Sequence, residues 1–180
     1  MKKTILFLSF LTITGSIMAQ KLTTTSAVVS FDATTAKDAL PKAENKTVIA
    51  SFDKTTGAVA FEAAVNNFAF SNPKIQEHFN TATWMNSASF PKFTFTGKVD
   101  KISKIKFTKD GTYKVNVSGS ITVKGISQAI SIPATVTVKG GAIAATATFS
   151  IKLKDFGITG TPIESGKVAE KPTVTVSAQF

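Results

Sequence analysis

The side chains that could carry out chemistry in this chain are few, and their spacing does not suit catalysis. The sequence holds one histidine, His78, and no cysteine, so thiolate and multi-histidine metal sites are excluded. Glu77 precedes His78, but adjacent helical residues do not face each other, and no serine is identifiable as a partner. The histidine is interpreted as a surface or hydrogen-bonding residue. The sequence therefore predicts no catalytic residues, no metal site and no cofactor.

The clearest regular pattern is a pair of strands around a tight corner at Lys124-Gly125. From Tyr113 to Val123 apolar side chains occupy odd positions and polar ones occupy even positions, which is the period of a strand with one buried face. After Gly125 the apolar set moves to even positions, as expected when an antiparallel strand returns from a hairpin. The pattern predicts a long antiparallel ribbon, which is typical of sandwiches and barrels.

Similar segments follow one another along the chain, separated by short polar breaks that contain glycine. The predicted strands are Leu22–Phe31, Thr47–Asp53, Ala58–Val65, Lys92–Val99, Ile102–Thr108, Tyr113–Val123, Ile126–Lys139, Ala142–Leu153 and Thr173–Gln179. Because no helices alternate with them, the segments predict an all-β fold, either an up-and-down barrel or a sandwich.

The segment between Phe68 and Phe90 departs from this alternation. Asn72-Pro73 is a helix-start signal, with asparagine at the cap and proline in the first turn. Ile75, Phe79 and Trp84 then share one side of a short helix and its exit loop. We expect this helical insertion to lie across an end or a seam of the sheet, where it could act as a gate.

The apolar strand faces leave the nature of the interior open. Along Ala142–Leu153 the apolar face contains two alanines together with larger residues, and Phe93 and Phe95 lie on the apolar face of another strand. An inward face that mixes alanines with phenylalanines is compatible with an apolar cavity. It is equally compatible with a filled core, because small residues also pack against large ones.

The first 19 residues have the features of a secretory signal peptide. Lys2 and Lys3 supply the positive start, an apolar run follows that is too short to span a membrane, and Ala19 offers a small residue before the cut. Cleavage before Gln20 leaves one domain over residues 20–180. We expect a periplasmic or secreted protein.

The charge is strongly basic, with 21 lysines, no arginine and 11 acidic residues. Removing Lys2 and Lys3 leaves 19 minus 11, a net charge of +8. Nucleic acid is a poor candidate partner, and none is predicted, because export would separate the two and because phosphate and base recognition favours arginine. Lysines spread singly along strands indicate a solvated exterior that blocks edge pairing.

Four motifs in order carry a family resemblance over nearly all of the chain beyond the leader. They are the helix with Gln76-Glu77-His78-Phe79, then Ser89-Phe90-Pro91-Lys92-Phe93-Thr94-Phe95, then the GSITVKGISQ run over Gly119–Gln128, and Asp155-Phe156-Gly157-Ile158. This succession resembles the YceI-like family. The chain has Ile151-Lys152-Leu153-Lys154 where many relatives have an arginine before the last motif.

The resemblance implies an extended, lipocalin-like antiparallel up-and-down barrel of about eight strands with one short helical insertion. It implies a long apolar ligand inside, with the His78–Trp84 segment beside the pocket and Phe156 near its mouth. Together with the apolar strand faces, it gives these predicted ligand-binding residues: Phe61, Val65, Phe68, His78, Phe79, Trp84, Phe95, Val117, Ile121, Ala145, Ala147, Phe149, Ile151 and Phe156.

These observations predict a secreted or periplasmic carrier, not an enzyme, that encloses a polyisoprenoid or a fatty amide or acid. One alternative is a structural or adhesive β-protein with a filled core whose lysines contact anionic envelope polymers. A second is a lipid-modifying enzyme that uses the same cavity. A homodimer and a transient contact with membrane or envelope components are further partner hypotheses.

Overall fold

The computed structural model describes residues 21–180, which form one closed antiparallel β-barrel. The predicted leader, residues 1–19, lies outside the described residues. The strands are β1 (Lys21–Asp32), β2 (Lys42–Asp53), β3 (Ala58–Ala64), β4 (Ala69–Phe70), β5 (Lys92–Val99), β6 (Gly111–Val123), β7 (Ile126–Lys139), β8 (Ala142–Ser150) and β9 (Thr173–Gln179).

Eight of these strands form the wall, and each pairs with the strand that follows it along the barrel. The order is β1-β2-β3-β5-β6-β7-β8-β9, and β9 pairs with β1 to close the ring. The short β4 pairs with the first residues of β2 and extends the wall beyond β3. The predicted eight-stranded up-and-down barrel is confirmed.

The β6–β7 ribbon shows why alternation predicted the strands. Thirteen successive pairs join it, from Gly111 opposite Val138 to Val123 opposite Ile126. Lys124 and Gly125 both have positive φ, 51° and 75°, which is the conformation of a two-residue type I′ hairpin turn. The register places the odd positions of β6 and the even positions of β7 on the inner face.

Helix α1 (Pro73–Asn80) begins where the sequence predicts. The Asn72 side chain accepts a hydrogen bond from the Lys74 N–H at 2.9 Å, and Pro73 occupies the first turn, where a missing N–H has no cost. Phe79, on the inner face of the helix, is buried and stacks on Phe31 of β1 with ring centroids 5.6 Å apart. The helix thus lies across one end of the barrel.

The predicted strand Ile102–Thr108 is wrong. Ile102–Lys104 is a 3-10 turn followed by further turns, and Ile105 and Phe107 point into the opposite end of the barrel from α1. The spacing explains the error, because Ile102 and Ile105 are three residues apart and fall on the same side of a 3-10 turn. This segment closes the barrel end and makes no sheet.

A second cover lies at the α1 end, where the β1–β2 loop meets the segment between β8 and β9. This segment contains α2 (Thr161–Glu164). The Thr35 hydroxyl donates to the Gly166 carbonyl at 2.7 Å, and the Lys37 ammonium donates to the Ser165 carbonyl at 2.8 Å. These bonds hold the two loops together.

Over residues 21–180, no helix has the length and apolar character needed to cross a membrane.

Candidate lipid cavity

A cavity of about 740 Å³ runs through the barrel interior. Its wall consists almost entirely of aliphatic and aromatic side chains from the inner faces of the strands. Volumes of this size are typical of sites that enclose a small organic molecule, with burial of most of the ligand surface. The interior is therefore hollow, which decides between the two interpretations left open by the alternating strand faces.

The inward-facing side chains at mid-height give independent support for a hollow interior. Phe61, Phe95 and Ile121 lie side by side on β3, β5 and β6. All three are only half-buried although the wall encloses them. Accessible surface on an inward side chain requires open space next to it, because packed interiors contain few voids larger than water.

Most of the predicted ligand-binding residues meet in this one cavity. Its wall includes Phe61, Phe68, His78, Phe79, Trp84, Phe95, Val117, Ile121, Ala145, Ala147, Phe149 and Ile151. Val65 and Phe156 are buried in the adjoining core cluster and do not reach the cavity surface. Val65 follows the end of β3 in a 3-10 turn, so the strand alternation no longer determines where its side chain points.

The sequence analysis left several wall residues out of the predicted site. They include Phe31, Phe52, Phe93, Val174, Val176 and Phe180. Phe93 shares the apolar face of β5 with Phe95, and Val174 and Val176 alternate along β9, so their periodicity could have identified them. No local sequence signal identifies Phe52 and Phe180 as lining residues, because their position at one end of the bore follows only from the tertiary fold.

The cavity opens at the end that α1 and the β8–β9 segment cover. Exposed lining residues collect there, including His78 and Thr83 on one side and Thr159, Pro162 and Lys167 on the other. Half-buried Trp84 lies on the α1 side of the same opening. This polar rim surrounds the mouth of an otherwise apolar bore.

Aromatic rings form the floor of the cavity at the opposite end. Phe52 of β2 and Phe180 both line the cavity, with ring centroids 6.0 Å apart. Phe107, from the turn segment after β5, lies behind Phe52 at 5.7 Å. Ile105 and Val138 are also buried in this cluster. The bore is therefore a blind tunnel with one mouth.

The charged and titratable side chains of the cavity lining lie at its mouth. Asp38 and Lys167 supply opposite charges to the lining, and the His78 imidazole is exposed. Over residues 21–180, no group of three histidine, aspartate or glutamate side chains is placed to hold a metal ion. Nearby at the end of β1, the hydroxyl and then the N–H of Thr34 lower the pKa of Asp32 by hydrogen bonding.

A model of the YceI-like domain family matches residues 9–180. A comparison with curated proteins finds no match. The relationship to solved proteins is visible in the fold instead, at low sequence identity.

Two solved structures superpose over most of the chain. BcnA of Burkholderia cenocepacia has a TM-score of 0.72 and 20% identity, over 86% of this chain and 96% of that one. A polyisoprenoid binding domain from Saccharophagus degradans, implicated in plant cell wall breakdown, has a TM-score of 0.71 and 14% identity, over 86% and 93% of the two chains. The YCEI protein of Campylobacter jejuni is less similar, with a TM-score of 0.55 and 19% identity over 74% and 80%.

Proposed function

Because this chain belongs to the YceI-like family, we propose that it is a carrier that encloses a long-chain apolar lipid, of the polyisoprenoid or fatty amide or acid type. The observation that carries the proposal is the blind apolar tunnel of about 740 Å³ inside the barrel. A tunnel with apolar walls and a single polar mouth fits a molecule with a long chain and a polar end. The polyisoprenoid binding domain with the same fold supports this choice of ligand.

The binding energy of such a carrier comes from removing the chain from water. Each enclosed methylene contributes about 0.8 kcal/mol, so a chain of moderate length is held tightly without any directional contact. The polar end stays at the mouth, where His78, Asp38 and Lys167 surround it. In this proposal the protein carries the lipid and the lipid leaves chemically unchanged.

Helix α1 is the gate in this proposal. Phe79 stands on the helix and Trp84 on its exit loop, and both line the cavity at the mouth. A lipid that fills the tunnel must pass between this helix and the β8–β9 segment. Movement of α1 away from Phe31 and Phe70 would widen the passage without opening the strand pairs.

The decisive experiment is mass spectrometry of lipid extracted from protein purified from its native host. We expect a stoichiometric long-chain lipid in the parent protein and none in Ala147→Phe, in which the new ring occupies the bore. In hollow space the ring displaces little, so the melting temperature of the lipid-free variant stays close to that of the parent. Ala144→Phe, on the outer face of the same strand, is the matched control and retains lipid.

The opposite results would contradict the carrier proposal. A parent protein without lipid, together with a large loss of stability in lipid-free Ala147→Phe, would indicate that the interior behaves as a packed core, in which overpacking costs about 1–3 kcal/mol. A lipid released in chemically altered form would indicate an enzyme.

We further propose that the carrier acts in the periplasm or outside the cell after removal of residues 1–19. The support is the Lys2-Lys3 start, the short apolar run and the small residue Ala19. Intact-mass analysis of the natural protein tests this directly. The mass of residues 20–180 is expected, with Gln20 free or cyclised, whereas an exported chain that keeps Met1 would contradict it.

A further inference from the structure

The floor of the tunnel, at the end opposite α1, blocks the passage of a ligand chain. Phe52 and Phe180 present their rings to the cavity, and Phe107 backs Phe52 on the far side. Phe52 is 4% exposed, and Ile105 next to this group is also 4% exposed. A chain that enters from the mouth therefore meets two layers of aromatic and aliphatic side chains at this end.

Hydrogen bonds on every side hold this floor in place. The Phe180 N–H donates to the Ile143 carbonyl at 2.8 Å, and the Ile143 N–H donates back at 3.1 Å. The Tyr113 hydroxyl lies 3.3 Å from the Lys106 and Lys109 carbonyls, which anchors the turn that carries Phe107. The Gly140 N–H donates to the Asp110 carboxylate at 2.8 Å. A floor fixed at this many points does not move aside for a longer chain.

A fixed floor and a cavity of limited volume together set a chain length. A methylene fills about the same space as a water molecule in the liquid, about 30 Å³. A cavity of about 740 Å³ therefore accommodates about 25 chain carbons. Carbons beyond that number remain outside the mouth in water and gain nothing from the apolar wall.

We infer that this protein discriminates lipids by chain length, with an upper limit of about 25 enclosed carbons set by the Phe52–Phe180 floor. The inference rests on the proposed carrier function. In isoprenoid terms the class is a chain of about four or five isoprene units, shorter than the long polyprenyl carriers of cell envelopes. Below the limit, affinity rises by up to about fourfold for each added methylene, and above it affinity stays constant.

The test offers lipid-free protein an equimolar mixture of linear isoprenoid alcohols of about 15 to about 40 carbons. Mass spectrometry then quantifies each bound alcohol. For the parent protein we expect enrichment to rise with length up to about 25 carbons and to show no further rise beyond that point. A preference that continues to rise to the longest alcohol would overturn the inference.

Two variants change the floor in opposite directions. Phe180→Ala removes a floor ring and moves the break point upward by about three carbons. Ala145→Phe adds a ring near the floor, beside Ala178 and Val136. This ring moves the break point to shorter chains, by a similar number of carbons. Ala144→Phe, on the outer face of β8, is the control and leaves it unchanged. Two variants are needed because the floor variant alone could fail to fold.

The outcomes separate this inference from the carrier proposal on which it rests. If the protein binds the alcohols but the break point stays in place in both folded variants, the floor does not set the length and the inference fails alone. If no alcohol of any length binds, the carrier proposal itself fails. If Phe180→Ala does not fold, the inference is supported by a break point that moves to shorter chains in Ala145→Phe while it stays unchanged in the Ala144→Phe control.

Discussion

The ring of Phe95 reaches Gly119 on the neighbouring strand, so closely that a methyl group added at Gly119 would stand 2.8 Å from Cζ of Phe95. Gly119 is paired with Gly97, and a methyl group at Gly97 would lie 2.7 Å from the same ring atom. The two glycines leave a hollow in the inner wall that receives the ring. The bore stays open at this height because Phe95 lies along the wall and does not cross the tunnel.

Gly119→Ala is therefore expected to narrow the tunnel and to lower stability. The added methyl group would clash with the Thr96 carbonyl oxygen as well as with the ring. The strand must shift and Phe95 must turn into the bore, at a cost of about 1–3 kcal/mol. Urea unfolding measures the loss of stability, and lipid content after purification measures the obstruction.

The matched control for this prediction is Gly111→Ala in the same strand. There the three atoms nearest to the added methyl group all belong to the side chain of Tyr113, at 3.1 Å or more. We expect normal lipid content and a small change in stability. Equal lipid content in the Gly119→Ala and Gly111→Ala variants would show that the position of Phe95 does not control the bore.

The cap of α1 gives a prediction about the rate of lipid exchange. Asn72→Ala removes the side chain that accepts from the Lys74 N–H and destabilises the start of the helix by about 1 kcal/mol. Because α1 covers the mouth, lipid is expected to move faster to acceptor vesicles, with little change in the amount bound at equilibrium. Asn66→Ala, at an exposed asparagine of the turn after β3, is the control. Equal transfer rates in both variants would exclude α1 as the gate.

The hydrogen bonds at Asp32 predict a dependence of stability on pH. Thr34 holds the pKa of Asp32 below its ordinary value of 3.8 in the folded protein. The stabilisation is complete above pH 3.8 and is lost as the pH falls through the lower, folded-state pKa. Thr34→Val removes the hydroxyl donor, so the pKa of Asp32 in the folded protein rises. Above pH 3.8 the variant is therefore less stable than the parent, by less than about 1 kcal/mol.

NMR titration of the carboxyl groups and denaturant unfolding between acid and neutral pH check this prediction. The difference in stability between parent and variant is expected to disappear at the acid end, where the carboxyl is protonated in both folded and unfolded states. Thr112→Val, on the outer face of β6, is the control for the loss of a surface hydroxyl. A difference that persists unchanged at low pH would assign the effect of Thr34→Val to packing.

His78 is expected to be dispensable for lipid retention. Its imidazole is exposed at the mouth and makes no hydrogen bond among the described residues, and its backbone carbonyl accepts from Thr81. His78→Ala should leave lipid content unchanged and shift the free energy of unfolding by less than about 0.5 kcal/mol. If the parent protein altered its lipid chemically and this variant did not, His78 would have a catalytic role.

The sequence predicted the strand pattern and α1 because both follow from local rules. The alternation on β6 and β7 and the Asn72 cap each lie within one element, and the structure has them at the expected residues. The predicted start of β2 at Thr47 was late, because the strand begins at Lys42 and the alternation breaks at Asn45. Asn45 is fully buried, and its side chain bonds to Thr47 and to the Ala64 carbonyl.

The shape of the site was harder to predict because it depends on tertiary contacts. Alternation identifies which side chains face inward, so it found Phe61, Phe95 and Ala147. It does not give the volume that those side chains leave empty. The closed end could not be predicted from the Ile102–Lys109 sequence, because the mixed spacing of its apolar residues is compatible with a strand until contact with Phe52 selects the turns.

The closure between β1 and β9 also determines how this chain folds. Residues Val28–Asp32 pair with Thr173–Ser177, the first and the last strands of the described chain, so this ladder forms only after nearly all of the chain is available. Contacts between such distant residues form slowly because loop-closure entropy opposes them. Until then, β1 presents a free edge that invites pairing with other chains. In pulsed hydrogen exchange, amides of this ladder are therefore expected to gain protection last, and refolding at high concentration is expected to lose material to aggregation at this stage.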